Sequence, residues 1–191
     1  MYYPFLLSLL LSVFNQPVTG AGVNVKADSI TFAVIGDYGK GTSQEDSVAK
    51  MVKSWNPDFI ITVGDNNYPA GSATTIKKHI GDYYGDYIYN PDAPAAWQCG
   101  GKAAQEKQNR FFPSPGNHDN YSLPPLKPYL KYFTLPGDEK NYDFVWGPVH
   151  FYSINSGTSG NLPVTGPVAA GLKASLAEDK SPFRLVYFHH P

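Results

Sequence analysis

Two segments, ITFAVIGD at residues 30–37 and FIITVGD at 59–65, end alike: a run of β-branched and aromatic residues closed by Gly-Asp. No other feature of the chain restricts its fold as tightly. Each run reads as a buried strand. Between them, Ser43 followed by Asp46 marks a helix start, and Val48, Met51, Val52 and Trp55 recur on one helical face. Asn56-Pro57 then stops the helix. Strand, helix, strand is a βαβ unit, so the two strands are expected to be parallel. Parallel strands bring their C-terminal ends to one edge of the sheet, the edge where open α/β folds hold ligands. Asp37 and Asp65 each stand just past such an end and are expected to converge.

The rest of the chain is less regular. Ile76, His79, Ile80 and Tyr83 share a helical face, and residues 85–104 read as a loop rich in Pro, Gly and Ala. Arg110 to Ser114 leads into PGNHDN, another strand-to-loop junction, and Leu126 to Phe133 reads as a short helix. Tyr142, Phe144 and Trp146 alternate, Gly147-Pro148 turns, and Val149, Phe151 and Ser153 alternate again, which predicts a β-hairpin. Val168, Leu172 and Leu176 fit a helix. Leu185 to Phe188 reads as a last strand with His189 and His190 at its end.

The 191 residues suit one domain with a sizeable core. A formal net charge of −1 gives no basic field for nucleic acid. Cys99 is the only cysteine, which excludes an intramolecular disulfide and a thiolate cluster for zinc. It reads as a loop thiol, open to an intermolecular bridge if the protein is secreted. Phe5 to Phe14 is an apolar run followed by small residues, too short to span a bilayer and suited to a secretory signal. Residues 1–21 are therefore read as a signal peptide, with a secreted product and no stable membrane insertion once it is removed.

The groups expected at strand ends are Asp37, Asp65 with Tyr68, Asn117 with His118, and His189. They are oxygen and nitrogen donors without sulfur, a set that suits iron, manganese or zinc. Gly-Asp after a strand is common in turns, and the order and placement of the whole set carry the signal. GDYG at 36–39, GDNNY at 64–68, GNHD at 116–119 and VYFH at 186–189 resemble the signature of the calcineurin-like metallophosphoesterases and, more narrowly, of the purple acid phosphatases. The resemblance covers residues 30–191. It implies an α/β fold, a β-sandwich flanked by helices with a βαβαβ core. It implies hydrolysis of a small phosphate ester at a dinuclear metal centre, with a phosphodiesterase as the alternative on the same scaffold.

Most of that superfamily opens with D-x-H, whose His binds the first metal. Here the third place is Gly39, and the resemblance implies that Tyr68 fills the vacancy as a phenolate on Fe(III). Asp37, Asp65 and Tyr68 would hold Fe(III). Asp65 would bridge to a divalent Fe, Zn or Mn, which Asn117 and His189 would also hold. His118 would face the phosphate as the catalytic group. The resemblance also implies a G-H-x-H motif after VYFH. The sequence ends at Pro191 before one, so a C-terminally incomplete chain, inactive or nearly so, is expected. His79 reads as a packed or partly exposed helical histidine, His150 as structural, and His190 as turned away from His189 by strand alternation. None of these three is expected to reach the strand-end edge as a replacement ligand. Asn120-Tyr121-Ser122 is a glycosylation sequon, expected to be too close to the metal loop for modification.

Overall fold

A computed structural model describes residues 29–157 and 162–190. The expected signal segment lies outside the described residues. Strands β1 (Phe32–Ile35), β2 (Phe59–Val63) and β3 (Phe111–Ser114) form one sheet in the order β1-β2-β3. All its pairs are parallel, with Ile35 opposite Thr62 and Val63 opposite Ser114. Strands β4 (Tyr142–Trp146), β5 (Val149–Ser153) and β6 (Phe183–Tyr187) form a second sheet. There β4 and β5 make the expected antiparallel hairpin, and β6 pairs parallel to β5.

Aromatic side chains fill the space between the sheets. The Phe59 ring meets Trp146 at 4.7 Å, Phe151 at 5.2 Å and Phe144 at 5.8 Å, and Phe112 stacks on Phe144 at 3.8 Å. Such pairs add about 0.5–1.5 kcal/mol each beyond area burial. Tyrosine hydroxyls then satisfy β3 carbonyls inside this apolar layer. Tyr129 and Tyr142 donate to Pro113 O at 2.6 and 2.8 Å, and Tyr187 donates to Phe112 O at 3.2 Å. This is the α/β sandwich that the sequence predicts. β1 departs from the fully buried strand expected, in that Val34 on its outer face is 53 % exposed.

Helix α1 (Ser43–Ser54) joins β1 to β2. Its cap is Thr42, whose hydroxyl accepts from Glu45 N–H, rather than Ser43 with Asp46. Glu45 reaches back to accept from Lys40 and Gly41 N–H at 2.9 and 2.6 Å. That inward reach sets the rotation of the helix. Glu45, Ala49 and Val52 are buried, while Val48, Met51 and Trp55, expected inside, are exposed. Burial raises the Glu45 carboxyl to about 7, against the lowering by those backbone donors.

After β2 come a π-helical turn, Lys77–Gly81, and α2 (Asp82–Tyr84), with Ile76, Ile80 and Tyr84 buried. The 85–104 segment is not all loop, since it holds a 3₁₀ turn, Ala95–Trp97, and the start of α3 (Lys102–Glu106). Cys99 is no accessible loop thiol. It is buried 3.3 Å from Tyr132 OH, and burial pushes its pKa up, which removes it as a bridge-former. Helices α4 (Asn117–Asn120) and α5 (Lys127–Tyr132) precede the hairpin, and α6 (Pro167–Glu178) precedes β6 with Val168, Leu172 and Leu176 half-buried.

His150 is structural, as expected. Its Nε2 meets Asp143 at 2.7 Å and its Nδ1 lies 3.3 Å from Asp179, which also receives Tyr152 OH and Arg184 Nε at 3.0 Å each. Burial opposes charge on His150, but hydrogen bonds to Asp143 and Asp179 outweigh it and raise the pKa. Burial likewise opposes charge on Asp179, but donors from Ser181, Tyr152 and His150 hold it well below the usual carboxylate range. A raised histidine stabilises fully below its unfolded value of 6.5 and loses that contribution as pH climbs through the folded value. A depressed carboxylate stabilises above its unfolded 3.8 and loses that contribution as pH falls through the folded value. The cluster therefore contributes most between those two limits. We expect His150→Gln to lower Tm by about 2–4 °C at mildly acidic pH and by clearly less at alkaline pH. A difference in Tm that stays constant across that range would refute the charged state of His150.

Candidate metal centre

The first two site carboxylates are placed by identical backbone turns. Asp37 and Asp65 both have φ 53, the left-handed conformation that Asp tolerates better than most residues. Each turn comes one step after a strand-ending Gly. Asp37 N–H donates to Gly64 O at 3.1 Å, and Tyr68 N–H donates to Gly39 O at 2.7 Å, so the two loops are laced backbone to backbone.

Glycines permit this approach. A Cβ on Gly39 would lie 1.7 Å from Asn66 O, and one on Gly116 would lie 2.2 Å from both the N and Oδ1 of Asp65. A Cβ on Gly64 would stand 2.6 Å from His189 Cβ. The third place of the first motif thus holds no side chain because the Tyr68 loop occupies the space.

The side chains converge above this floor. Tyr68 OH donates to Asp37 Oδ1 at 3.0 Å and Asp65 Oδ2 at 2.8 Å. Burial, then those two carboxylates, raise the phenol pKa, so without a cation the proton stays on the tyrosine. His189 Nδ1 meets Val63 O at 2.8 Å, which assigns the proton to Nδ1 and leaves a lone pair on Nε2. That lone pair faces Asn117 Oδ1 at 3.0 Å and Asp65 Oδ2 at 3.5 Å. With His189 neutral these are three acceptors directed at one another, an arrangement that a cation satisfies, and the donor set fits one. Ligand atoms of Asp37, Asp65 and His189 all lie within 4.8 Å of one another, the one such group of acidic, His or Cys side chains among the described residues.

The remaining two predicted residues flank this group. Asn117 turns its Nδ2 to Tyr121 OH at 3.1 Å, which aims Oδ1 at the site. His118 bonds Pro69 O through Nδ1 and lies over Tyr68 with ring centroids 4.3 Å apart, its Nε2 3.8 Å from Asp65 Oδ2. The structure therefore brings Asp37, Asp65, Tyr68, Asn117, His118 and His189 together, the first five from the strand-end loops of the first sheet and His189 from the end of β6 in the second.

Comparison with known families is decisive on class. The family model for calcineurin-like phosphoesterases matches residues 30–191. The chain belongs to that family. No curated protein matches it. Family membership carries metal-dependent phosphoester hydrolysis, and a candidate Asp/His site for the metal is present.

Around the site, this phosphoesterase differs from the sequence reading in two places and agrees with it in a third. His79 does reach the strand-end edge: a Cβ on Gly41 would stand 2.6 Å from its Cδ2. Burial lowers the His79 pKa, with the Gly39 and Tyr68 backbone nearby. It packs beneath the loops rather than among the donors. His190 is not turned opposite to His189. β6 ends at Tyr187, so strand alternation no longer applies, and the two rings meet at 4.7 Å while His190 Nδ1 bonds Ser156 Oγ at 3.0 Å. The sequon is closed as expected, because buried Asn120 donates through Nδ2 to Gly116 O at 2.8 Å and Asn155 Oδ1 at 3.2 Å.

Sequence reasoning passed over Asn66 and Asp119, each buried inside a quoted motif. Asp119 accepts from Gly116 N–H at 2.9 Å and from Asn66 N–H at 3.1 Å. Burial raises its pKa to about 6 against these donors. The available signal was position: each follows a candidate ligand by one or two residues.

Proposed function

We propose that this phosphoesterase hydrolyses phosphomonoesters at a dinuclear centre of the purple acid phosphatase type. The observation that carries this reading is Tyr68 OH set between Asp37 and Asp65, where Gly39 leaves no room for a side chain. Asp37, Asp65 and Tyr68 would hold Fe(III), for which a hard anionic phenolate is suited. Asp65, Asn117 and His189 would hold divalent Fe, Zn or Mn. When bound, the pair supplies charge neutralisation at the phosphoryl oxygens and a nucleophile under acidic conditions.

The protein's own groups supply the rest. Val63 O keeps the His189 proton on Nδ1, and Tyr121 OH keeps the Asn117 oxygen forward. His118, anchored by Pro69 O at Nδ1, presents Nε2 beside Asp65. As an imidazolium it would donate from Nε2 to the developing charge on the phosphate or leaving oxygen.

The test, run on the product of the full coding sequence, is hydrolysis of an aryl phosphate monoester against the corresponding bis-aryl diester, at acidic pH with Fe and Zn supplied. A preference for the diester would replace this reading by a phosphodiesterase. Two variants divide the roles. Asn117→Ala should lose occupancy of one metal, whereas His118→Ala should keep both and lower kcat by about 10²–10³-fold. Equal metal loss in both would show that His118 is a ligand. Tyr68→Phe should remove the visible absorption of an Fe(III)-phenolate while leaving the circular dichroism unchanged. A colourless wild type with zinc or manganese at both sites would overturn iron but leave phosphoester hydrolysis standing.

A further inference from the structure

Asn66 is 0 % exposed and touches the Asp37 loop, the end of β2 and the β3–Asn117 segment. Its Oδ1 accepts from Thr62 Oγ1 at 2.5 Å, at the end of β2, and from Tyr38 OH at 3.2 Å, next to Asp37. Its Nδ2 donates to Ser114 O at 2.8 Å, the last residue of β3, and to Asp119 Oδ2 at 2.9 Å. Its own N–H donates to the same carboxylate oxygen, which also caps Gly116 N–H at the start of the Asn117–His118 segment. Its carbonyl is the group pressed against Gly39. All four hydrogen-bonding positions of the amide are filled, and none faces the cluster of donors.

We propose that Asn66 is a positioning residue that sets the spacing of the Asp37, Asp65 and Asn117 loops, and so tunes metal affinity without being a ligand. The role rests on the metal-centre reading above. A planar amide with two acceptor and two donor contacts admits one orientation, so the three loops cannot shift independently while it is satisfied. An apolar replacement leaves Ser114 O with no donor from residue 66 and leaves the Thr62 and Tyr38 hydroxyls without their Oδ1 acceptor. The loops then keep their pairwise bonds, such as Asp37–Gly64, Tyr68–Gly39, Tyr68 OH to Asp37 and His118 N–H to Asp65, but lose the one amide that ties all three together.

A matched control exists in Asn90. It is equally buried, donates to Trp97 O and Tyr132 O at 3.2 and 3.0 Å and accepts from Cys99 N–H at 2.9 Å, all away from the site. The experiment titrates metal-free protein with Mn²⁺, reading free Mn²⁺ by electron paramagnetic resonance, alongside Tm of the metal-free forms. Asn66→Ala should weaken Mn²⁺ binding by about 10–100-fold, and Asn90→Ala should lower Tm while leaving Mn²⁺ affinity within about twofold of wild type. Thr62→Val is isosteric and apolar on a buried strand, so it keeps a folded readout if Asn66→Ala does not fold. It should weaken Mn²⁺ binding by a smaller factor, because Asn66 keeps its other contacts. Wild-type affinity in both Asn66→Ala and Thr62→Val, or in Thr62→Val alone where Asn66→Ala does not fold, would overturn the role of Asn66. So would an equal loss in Asn90→Ala, by tying affinity to stability alone. A wild type that binds no Mn²⁺, Fe or Zn would instead overturn the metal centre, and the positioning role with it.

Discussion

In the product of the full coding sequence, Asp65→Asn is expected to abolish metal binding and phosphoester hydrolysis together while leaving the fold in place. The contacts of Tyr68, His118 and His189 meet on this side chain. Its carboxylate is 3 % exposed, with Oδ1 accepting from His118 N–H at 2.9 Å and Oδ2 lying 2.8 Å from Tyr68 OH and 3.5 Å from His189 Nε2. An asparagine matches its shape, so the left-handed turn and the surrounding packing survive. It cannot match two oxygens. With its oxygen kept toward His118 N–H, its NH₂ faces the Tyr68 hydroxyl and the space a cation needs. With the amide reversed, the His118 N–H, buried beside Gly116, loses its acceptor. Either way one charge and one donor atom are gone from the residue shared by both proposed metals. The fall in kcat/KM should be at least about a thousandfold, on the order of 4 kcal/mol of transition-state stabilisation. Mn²⁺ binding measured on the same sample should fall with it. Turnover within tenfold of wild type would show that Asp65 is a cap for the 116–118 loop and nothing more.

The parts of this architecture legible from sequence are those governed by local rules. The alternation of Tyr142 to Ser153 around Gly147-Pro148 describes a hairpin because strand period and turn chemistry are set within a dozen residues. The convergence of Asp37 and Asp65 follows from the βαβ connection, and the structure places both as that rule requires. The buried face of α1 was not legible. Apolar count favours Val48, Met51 and Trp55, but a single buried acceptor, Glu45, must reach the Lys40 and Gly41 amides and turns those three outward. Asn66 and Asp119 were hidden for a similar reason. A buried polar residue is recognised by its partners, and theirs lie up to 53 residues away in the chain. His79 is half-buried on the face shared with Ile76 and Ile80, as its helical pattern predicts, but its approach to Gly41 was not legible because that neighbour lies far away in the chain.

Gly39→Ala tests whether the site depends on backbone contact as much as on its donors. The change adds one methyl group and removes no hydrogen bond, so on composition alone it looks mild. Geometry makes it severe. The new Cβ would start 1.7 Å from Asn66 O, 2.4 Å from Asn66 C and 3.0 Å from Asn67 N, all backbone atoms that no rotamer can move aside. Restoring ordinary carbon–oxygen contact requires the 37–40 and 65–68 loops to part by roughly 1.5 Å. The bond from Tyr68 N–H to Gly39 O, now 2.7 Å, would stretch beyond hydrogen-bonding distance. Tyr68 would then draw away from Asp37, and Asn66 from Tyr38. Overpacking of this kind costs about 1–3 kcal/mol in stability, and the loss of donor placement should cost more in function, since a displacement of 1 Å is worth about a hundredfold in rate. The expected result is a folded protein with a lower Tm, Mn²⁺ affinity reduced by more than tenfold and hydrolysis at background. Gly100→Ala, where a Cβ would meet nothing within 4 Å, is the control and should behave as wild type. If Gly39→Ala kept both affinity and turnover, the close approach of the two loops would be incidental, and the absence of a side chain at residue 39 would no longer explain why Tyr68 stands between the two carboxylates.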